Sequence, residues 1–156
     1  QPGTFQMKLG TEKLKDIYEQ ADIFFCNTDE ARRILKNEEQ DPKNLMDILH
    51  SLGPKTIVMT DGIKGAYARE ENGDMWFMPV YPHIPKERTG AGDAYESTIT
   101  SCLALGMSLQ DALLWAPINA MAVTQEIGAQ KGLLTQEKIK EYLSKAPSDY
   151  KPTKIN

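Results

Sequence analysis

The chain has 156 residues, of which 40% are hydrophobic and 26% charged, a composition that suits one globular domain with a real core. Its net charge of −4 and the lack of a basic block argue against nucleic acid as the main partner. No apolar run approaches the roughly 20 residues of a membrane span and no signal peptide is recognisable, so we expect a cytoplasmic protein that binds a small polar molecule.

The first half of the chain alternates helical and strand patterns. We predict a helix, a strand, two helices and a second strand in the ranges 8–20, 22–26, 28–36, 42–52 and 56–60. In the first helix, Leu9, Leu14, Ile17 and Tyr18 would form the apolar face. The fourth range ends at Gly53-Pro54, a glycine stop followed by a proline that cannot continue a helix.

The second half begins with hairpin signals and continues with helices. Strands are predicted at 66–69 and 75–80, and helices at 90–105, 109–127 and 135–144. Pro117 should kink the second of these helices or divide it into two. Together these elements predict a single α/β domain with a mostly parallel sheet, antiparallel edge strands and helices on both faces.

The most informative motif is Thr89-Gly90-Ala91-Gly92-Asp93, which opens an apolar helix. Its two glycines let the backbone approach a ligand, and the first helical turn offers unpaired amides and the positive end of the helix dipole, which suits a phosphate. Asp93 would repel a bound anion but could accept a proton from a hydroxyl that attacks a phosphate. The alternative is a tight turn in which Asp93 only complements the helix N-terminus.

Three further segments also have a purely structural interpretation. Asn27 and Glu30 have the spacing of a helix capping box, and the segment from Thr60 to Gly65 has the pattern of a hairpin turn. Asn119 belongs to a stretch of small and apolar residues that is typical of close helix packing. No G-x-x-x-x-G-K-[ST] sequence occurs, so a P-loop is excluded as the route to phosphate binding.

The segment Thr89–Asp93 resembles the C-terminal signature of the PfkB or ribokinase-like family of carbohydrate and nucleoside kinases. Residues 27–30 are similar to that family's Asn-x-x-Glu motif, and residues 60–65 to its Thr-x-Gly-x-x-Gly segment. The resemblance covers nearly all of the chain. It implies the C-terminal half of a ribokinase-like layered fold and transfer of the γ-phosphate of ATP to a hydroxyl of a sugar or nucleoside.

The resemblance also implies a role for each motif. Asp93 would be the general base, and Gly90, Ala91 and Gly92 would form the anion hole for the transferring phosphate. Asn27 and Glu30 would hold Mg²⁺, largely through water. The nucleotide would contact a set of loop and helix residues: Thr60, Gly62, Lys64, Gly65, Asn119 and Gly128.

Many family members hold a monovalent cation near the loops that correspond to 87–89 and 128–129. Here Glu87-Arg88 stands where Asp-Thr is usual in the family, so the sequence leaves dependence on potassium open.

Family members are about twice as long as this chain, and the sequence starts at Gln1 in a segment that resembles the middle of the fold. We therefore expect a fragment that lacks the substrate and lid half, with an exposed sheet edge through which it could dimerise. The alternative function is a non-catalytic nucleotide-binding or interaction module with the same fold.

Overall fold

A computed structural model describes residues 1–156, which form two compact units. The first unit comprises residues 1–77 and 153–156, and the second comprises residues 78–152. The first contains nearly all of the β-sheet, and the second is built mainly from three helices. No helix of the chain combines the length and the apolar character that crossing a bilayer requires.

The N-terminal segment is not the single helix that we predicted. Helix α1 (Thr4–Leu9) stops at Gly10, whose φ of 82° cannot continue a right-handed helix. A short 3₁₀ turn and helix α2 (Lys15–Glu19) follow. The predicted apolar face is partly wrong as well, because Tyr18 is buried whereas Ile17 is 67% exposed.

The sheet has five strands in sequential order: β1 (Ile23–Asn27), β2 (Thr56–Thr60), β3 (Ala66–Arg69), β4 (Met75–Met78) and β5 (Thr153–Lys154). Strand β1 pairs with β2 in parallel, whereas the β2–β3 and β4–β5 pairs are antiparallel. The predicted hairpin after β2 is thus present, and the antiparallel part also includes the C-terminal strand β5, which we did not predict. Strand β2 has the predicted bounds, and β4 ends two residues early.

Two amphipathic helices complete the first unit. Helix α3 (Thr28–Leu35) follows β1 directly, and α4 (Pro42–His50) begins at the side-chain cap of Asp41. Both predicted helices are thus confirmed to within two residues. The core of this unit consists of apolar side chains from both helices and the strands, including Phe24, Ile34, Leu45, Leu49, Ile57 and Met59.

The second unit contains α5 (Ala91–Ala104), α6 (Leu109–Thr124) and α7 (Gln136–Ser144). Ser108 and Thr135 cap the N-termini of the last two. Of the two alternatives that we predicted at Pro117, a kink or a division into two helices, the division does not occur, because one helix continues through this residue. Pro117 is buried, and so are almost all the residues around it in α6. Their packing compensates for the backbone hydrogen bond that proline cannot make.

Candidate active site

The predicted site residues fall into two groups, one in each unit. The first group owes its arrangement to the parallel pairing of β1 and β2. Asn27 and Thr60, the last residues of these strands, are register partners. The two motifs that begin with them therefore leave the sheet side by side at the carboxyl ends of parallel strands, which is where α/β sheets commonly bind ligands.

The start of α3 is a complete capping box. The Glu30 amide donates to the Asn27 side-chain oxygen at 2.8 Å, and the Asn27 amide donates to the Glu30 carboxylate at 2.9 Å. The structural interpretation of this motif is thus confirmed. Each contact uses one side-chain oxygen, so the second carboxylate oxygen of Glu30 keeps its lone pairs.

A hydrogen bond joins the two motifs of the first group. The Thr28 hydroxyl donates to the Asp61 carboxylate at 2.9 Å, and Thr28 is buried. The other Asp61 oxygen lies 3.4 Å from the ammonium of Lys64, whose side chain is 73% exposed. Sequence reasoning overlooked Thr28 and Asp61. The sequence did contain a signal for Asp61, because a carboxylate that directly follows a buried strand lies close to the end of the neighbouring parallel strand.

The loop after β2 holds its backbone in a tight turn. The Asp61 amide donates to the Gly65 carbonyl at 2.8 Å, and residues 62–64 form a 3₁₀ turn between them. Gly62 has a φ of 55°, and a Cβ at this position would meet no atom within 4 Å. Open space therefore faces the Gly62 backbone.

The donors at this edge fit a water-mediated Mg²⁺ better than a directly ligated transition metal. No cluster of three or more His, Cys, Asp or Glu side chains that could hold a metal ion occurs in the chain. The carboxylates of Glu30 and Asp61 and the amide of Asn27 are hard oxygen donors. Mg²⁺ commonly binds through one or two such groups and keeps several of its waters.

The second group lies at the start of α5. Gly90 is its N-cap residue with a left-handed backbone, and no side chain caps this helix. The helical hydrogen bonds begin where the Ala94 amide donates to the Gly90 carbonyl at 2.9 Å. The amides of Gly92 and Asp93 precede that bond and have no helical acceptor. The Ala91 amide makes a 3.3 Å hydrogen bond with the Arg88 carbonyl.

The two glycines of this turn have different roles. A Cβ at Gly90 would lie 2.5 Å from the Ala129 carbonyl oxygen, and the φ of 83° would strain any other residue. A Cβ at Gly92 would meet nothing within 4 Å. The fold thus requires the first glycine, whereas a side chain at the second would meet open space. The exposed Asp93 follows immediately.

Asn119 is buried and takes part in packing. Its amide nitrogen donates to the Thr98 hydroxyl at 2.9 Å, and its oxygen accepts from the Leu134 amide at 2.9 Å. Thr98 in turn donates to the Ala94 carbonyl. The two hydrogen bonds of the Asn119 side chain thus connect α6 with α5 and with the segment before α7. A contact of Asn119 with adenine stays a prediction.

Gly128 lies in the segment after α6 with a φ of 106°. Its amide donates to the Glu87 carboxylate at 3.0 Å. Hydrogen bonds from the Thr89 side chain and from this amide hold the pKa of Glu87 below its ordinary value. Nearby, the amides of Lys86 and Glu87 both donate to the Thr124 carbonyl, at 2.8 and 3.2 Å.

Comparison with solved structures establishes the class of fold. Arabidopsis thaliana ribokinase, solved with ribose and ATP, superposes with a TM-score of 0.77 at 21% identity over 83% of this chain and 43% of that one. A chain from Escherichia coli, solved with ATP and Mg²⁺, gives a TM-score of 0.75 at 22% identity over 86% of this chain and 42% of its own. The predicted ribokinase-like α/β fold is confirmed.

The chain belongs to the pfkB family of carbohydrate kinases, whose family model matches residues 4–136. Among curated relatives, a cytidine kinase from Thermococcus kodakarensis is 32% identical over 74% of this chain and 41% of its own length. The chain thus spans well under half the length of the relatives that it matches. The resemblance inferred from the sequence motifs is confirmed.

Proposed function

We propose that this chain is the nucleotide-binding part of an ATP-dependent phosphotransferase that phosphorylates a hydroxyl of a sugar, nucleoside or related small molecule. The observation that carries the proposal is the uncapped start of α5, where free amides, the open space at Gly92 and the exposed carboxylate of Asp93 occur within one helical turn. Amides alone would suit any anion. A carboxylate beside them is useful when a hydroxyl must lose its proton during attack on phosphorus.

In the proposed reaction, the Asp93 carboxylate accepts the proton of the substrate hydroxyl. The hydroxyl oxygen forms a bond to the γ-phosphorus of ATP, while the bond from that phosphorus to the bridging oxygen breaks and ADP leaves. The amides of Gly90, Ala91 and Gly92 stabilise charge on the transferring group. The Ala91 amide would have to leave or share its long hydrogen bond to Arg88.

The first unit would contact the nucleotide and its metal. Asn27 and Glu30 would hold Mg²⁺ through water, and Asp61, which accepts a hydrogen bond from the neighbouring Thr28, would be a further oxygen donor. The bound ion would neutralise phosphate charge. The turn formed by Thr60, Gly62, Lys64 and Gly65 would face the phosphates and ribose, and Lys64 is exposed enough to exchange Asp61 for a phosphate.

Calorimetric titration with ATP and magnesium, with GTP and ribose 5-phosphate as comparisons, tests the nucleotide site. Selective ATP binding supports the proposal. Equal affinity for ribose 5-phosphate would instead indicate a site for some other phosphorylated metabolite. The absence of binding by a folded chain would contradict a preformed nucleotide site.

Phosphotransfer is tested with a panel of sugars and nucleosides by measuring ADP release. Asp93→Asn should reduce turnover by roughly 10² to 10⁴, the range for loss of a general base, while ATP affinity is retained. Glu137→Gln is the matched control, because Glu137 is an exposed acid in the first turn of α7. Near-normal turnover in Asp93→Asn would remove Asp93 from the role, and ATP binding without turnover on any acceptor would favour the binding-module alternative.

A further inference from the structure

Glu87 precedes the turn Thr89–Asp93, here called the anion turn. Its carboxylate accepts hydrogen bonds from this turn and from the segment after α6. Glu87 lies three residues before Gly90 and accepts a hydrogen bond of 3.0 Å from the Gly128 amide. The Thr89 side chain also hydrogen bonds to this carboxylate. Glu87 thus connects the segment before α5 with the segment after α6, both of which lie outside helices and strands.

Other contacts join the same two segments on one side of Glu87. The amides of Lys86 and Glu87 donate to the last residue of α6, Thr124, and the Gln125 side chain donates to the Ile84 carbonyl at 3.0 Å. These bonds fix the segment at residues 84–87. They do not reach Gly128 or the turn that follows Glu87.

On the other side of Glu87, the anion turn packs against the segment after α6. The missing Cβ of Gly90 lets its backbone lie against Ala129, with which any larger residue would collide. Ala129 directly follows Gly128 and lies in no helix or strand. Its position behind the turn therefore depends on the few bonds that hold this segment, of which the Glu87–Gly128 bond is one.

We propose that Glu87 is a positioning residue that holds the Gly128–Ala129 segment behind Gly90 and so fixes the direction of the Gly90, Ala91 and Gly92 amides toward the phosphate. This inference rests on the proposed function. It assigns Glu87 a task in shaping the phosphate site, through its hydrogen bond to Gly128.

Two substitutions of Glu87 separate the effect of its hydrogen bond from the effect of its charge on ATP binding. A carboxylate near a phosphate site disfavours the anion electrostatically, so its charge by itself would weaken binding. A benefit to binding must then come from the bond to Gly128. Glu87→Gln keeps an acceptor oxygen of the same length and removes the charge, whereas Glu87→Ala removes both.

The experiment follows amide exchange and amide resonances of this chain by NMR and measures ATP affinity with magnesium by calorimetry. In Glu87→Ala we expect exchange at Gly128 to be faster by about tenfold or more, the resonances of the three phosphate-facing amides to shift, and ATP affinity to fall by about tenfold. Glu87→Gln should stay within about threefold of wild type in each measurement. Glu126→Ala is the matched control, because that nearby carboxylate pairs only with the exposed Lys131.

Two results would overturn the proposal. One is a Glu87→Ala variant whose Gly90, Ala91 and Gly92 resonances are unchanged. The other is a Glu87→Gln variant that loses as much affinity as Glu87→Ala, which would assign the effect to charge. A wild-type chain that binds no ATP would contradict the proposed function, and the resonances of these three amides in Glu87→Ala would still decide whether Glu87 positions the turn.

Discussion

Two regions of the molecule differ in how far their polar groups are already hydrogen bonded within the protein. One is the edge of the sheet where β1 and β2 end, called the strand edge, and the other is the start of α5. At the strand edge, Asn27 and Glu30 cap each other and Thr28 bonds to Asp61. At the start of α5, no side chain caps the helix and Asp93 is exposed. A satisfied helix end is explained by stability alone, whereas an uncapped one leaves donors available for a ligand. The second region is therefore the stronger indicator of function.

The comparison can be tested most strongly at the two glycines of the α5 turn. Gly90→Ala should lower the free energy of unfolding by about 3 kcal/mol, because the new methyl group combines positive-φ strain with a collision at Ala129. Denaturant unfolding measures this loss. A change of less than about 0.5 kcal/mol would show that the turn can relax, and that Gly90 is not required by packing.

Gly92→Ala should behave in the opposite way. Its Cβ meets no protein atom, and alanine is the better helix former, so the free energy of unfolding should rise by up to about 1 kcal/mol. ATP affinity should fall by about tenfold, since the methyl group occupies the space in front of the amides. A variant that is more stable and binds ATP normally would contradict the role of this open space.

At the strand edge, the Thr28–Asp61 hydrogen bond should be the contact with the largest effect on stability. Thr28→Val keeps the shape but removes the donor to a mostly buried carboxylate, so we expect a loss of about 2 kcal/mol in thermal or denaturant unfolding. Thr153→Val, at an exposed strand position, is the control and should change little. Equal effects of the two variants would mean that the bond contributes nothing specific.

Capping and metal binding at Asn27 can be separated by comparison with a second cap. Asn27→Ala and Ser108→Ala each remove an N-cap side chain and should each cost about 1 kcal/mol in unfolding free energy. Only Asn27→Ala should also weaken the magnesium dependence of ATP binding. If the two variants bind ATP and magnesium alike, Asn27 is a cap and nothing more.

An effect of similar size is expected at Tyr95, whose hydroxyl is buried without a hydrogen-bond partner. Tyr95→Phe should raise the free energy of unfolding by about 1 kcal/mol, because no polar group is then left unsatisfied.

Tyr95 should also affect stability at high pH. Burial raises the pKa of Tyr95, so the unfolded chain releases this proton near pH 10 while the folded chain retains it. Its contribution to stability is therefore full below about pH 10 and is lost as the pH rises above that value. Tyr95→Phe should accordingly flatten the alkaline loss of stability, and an unchanged alkaline profile would contradict this assignment.

Local sequence patterns predicted most elements because their causes are local. Asn27 and Glu30 are three residues apart and cap the same helix, and β2 has a continuous apolar pattern between turn residues. The break at Gly10 was overlooked because the residues on both sides keep a helical pattern. Whether α6 is divided at Pro117 could not be decided from the sequence, since its continuation depends on burial by surrounding helices.

The site shows the same division. The motif residues 27–30, 60–65 and 89–93 could be selected from spacing and residue type, and the family that they indicated is confirmed by the family model, which matches residues 4–136. The contacts of Thr28 with Asp61 and of Glu87 with Gly128 join residues 33 and 41 positions apart. No local pattern carries such information.

By itself, the sequence determined the order of most helices and strands, the glycine turn before α5 and the family to which the chain belongs. The tertiary structure decided that Gly90 is needed for packing whereas a side chain at Gly92 would meet no other group, that Asn119 is hydrogen bonded between helices, and that the Glu87 carboxylate accepts a hydrogen bond from Gly128. The physical reason is that capping, periodicity and turn geometry act over a few residues, whereas steric exclusion and buried hydrogen bonds depend on which distant segments the fold brings into contact.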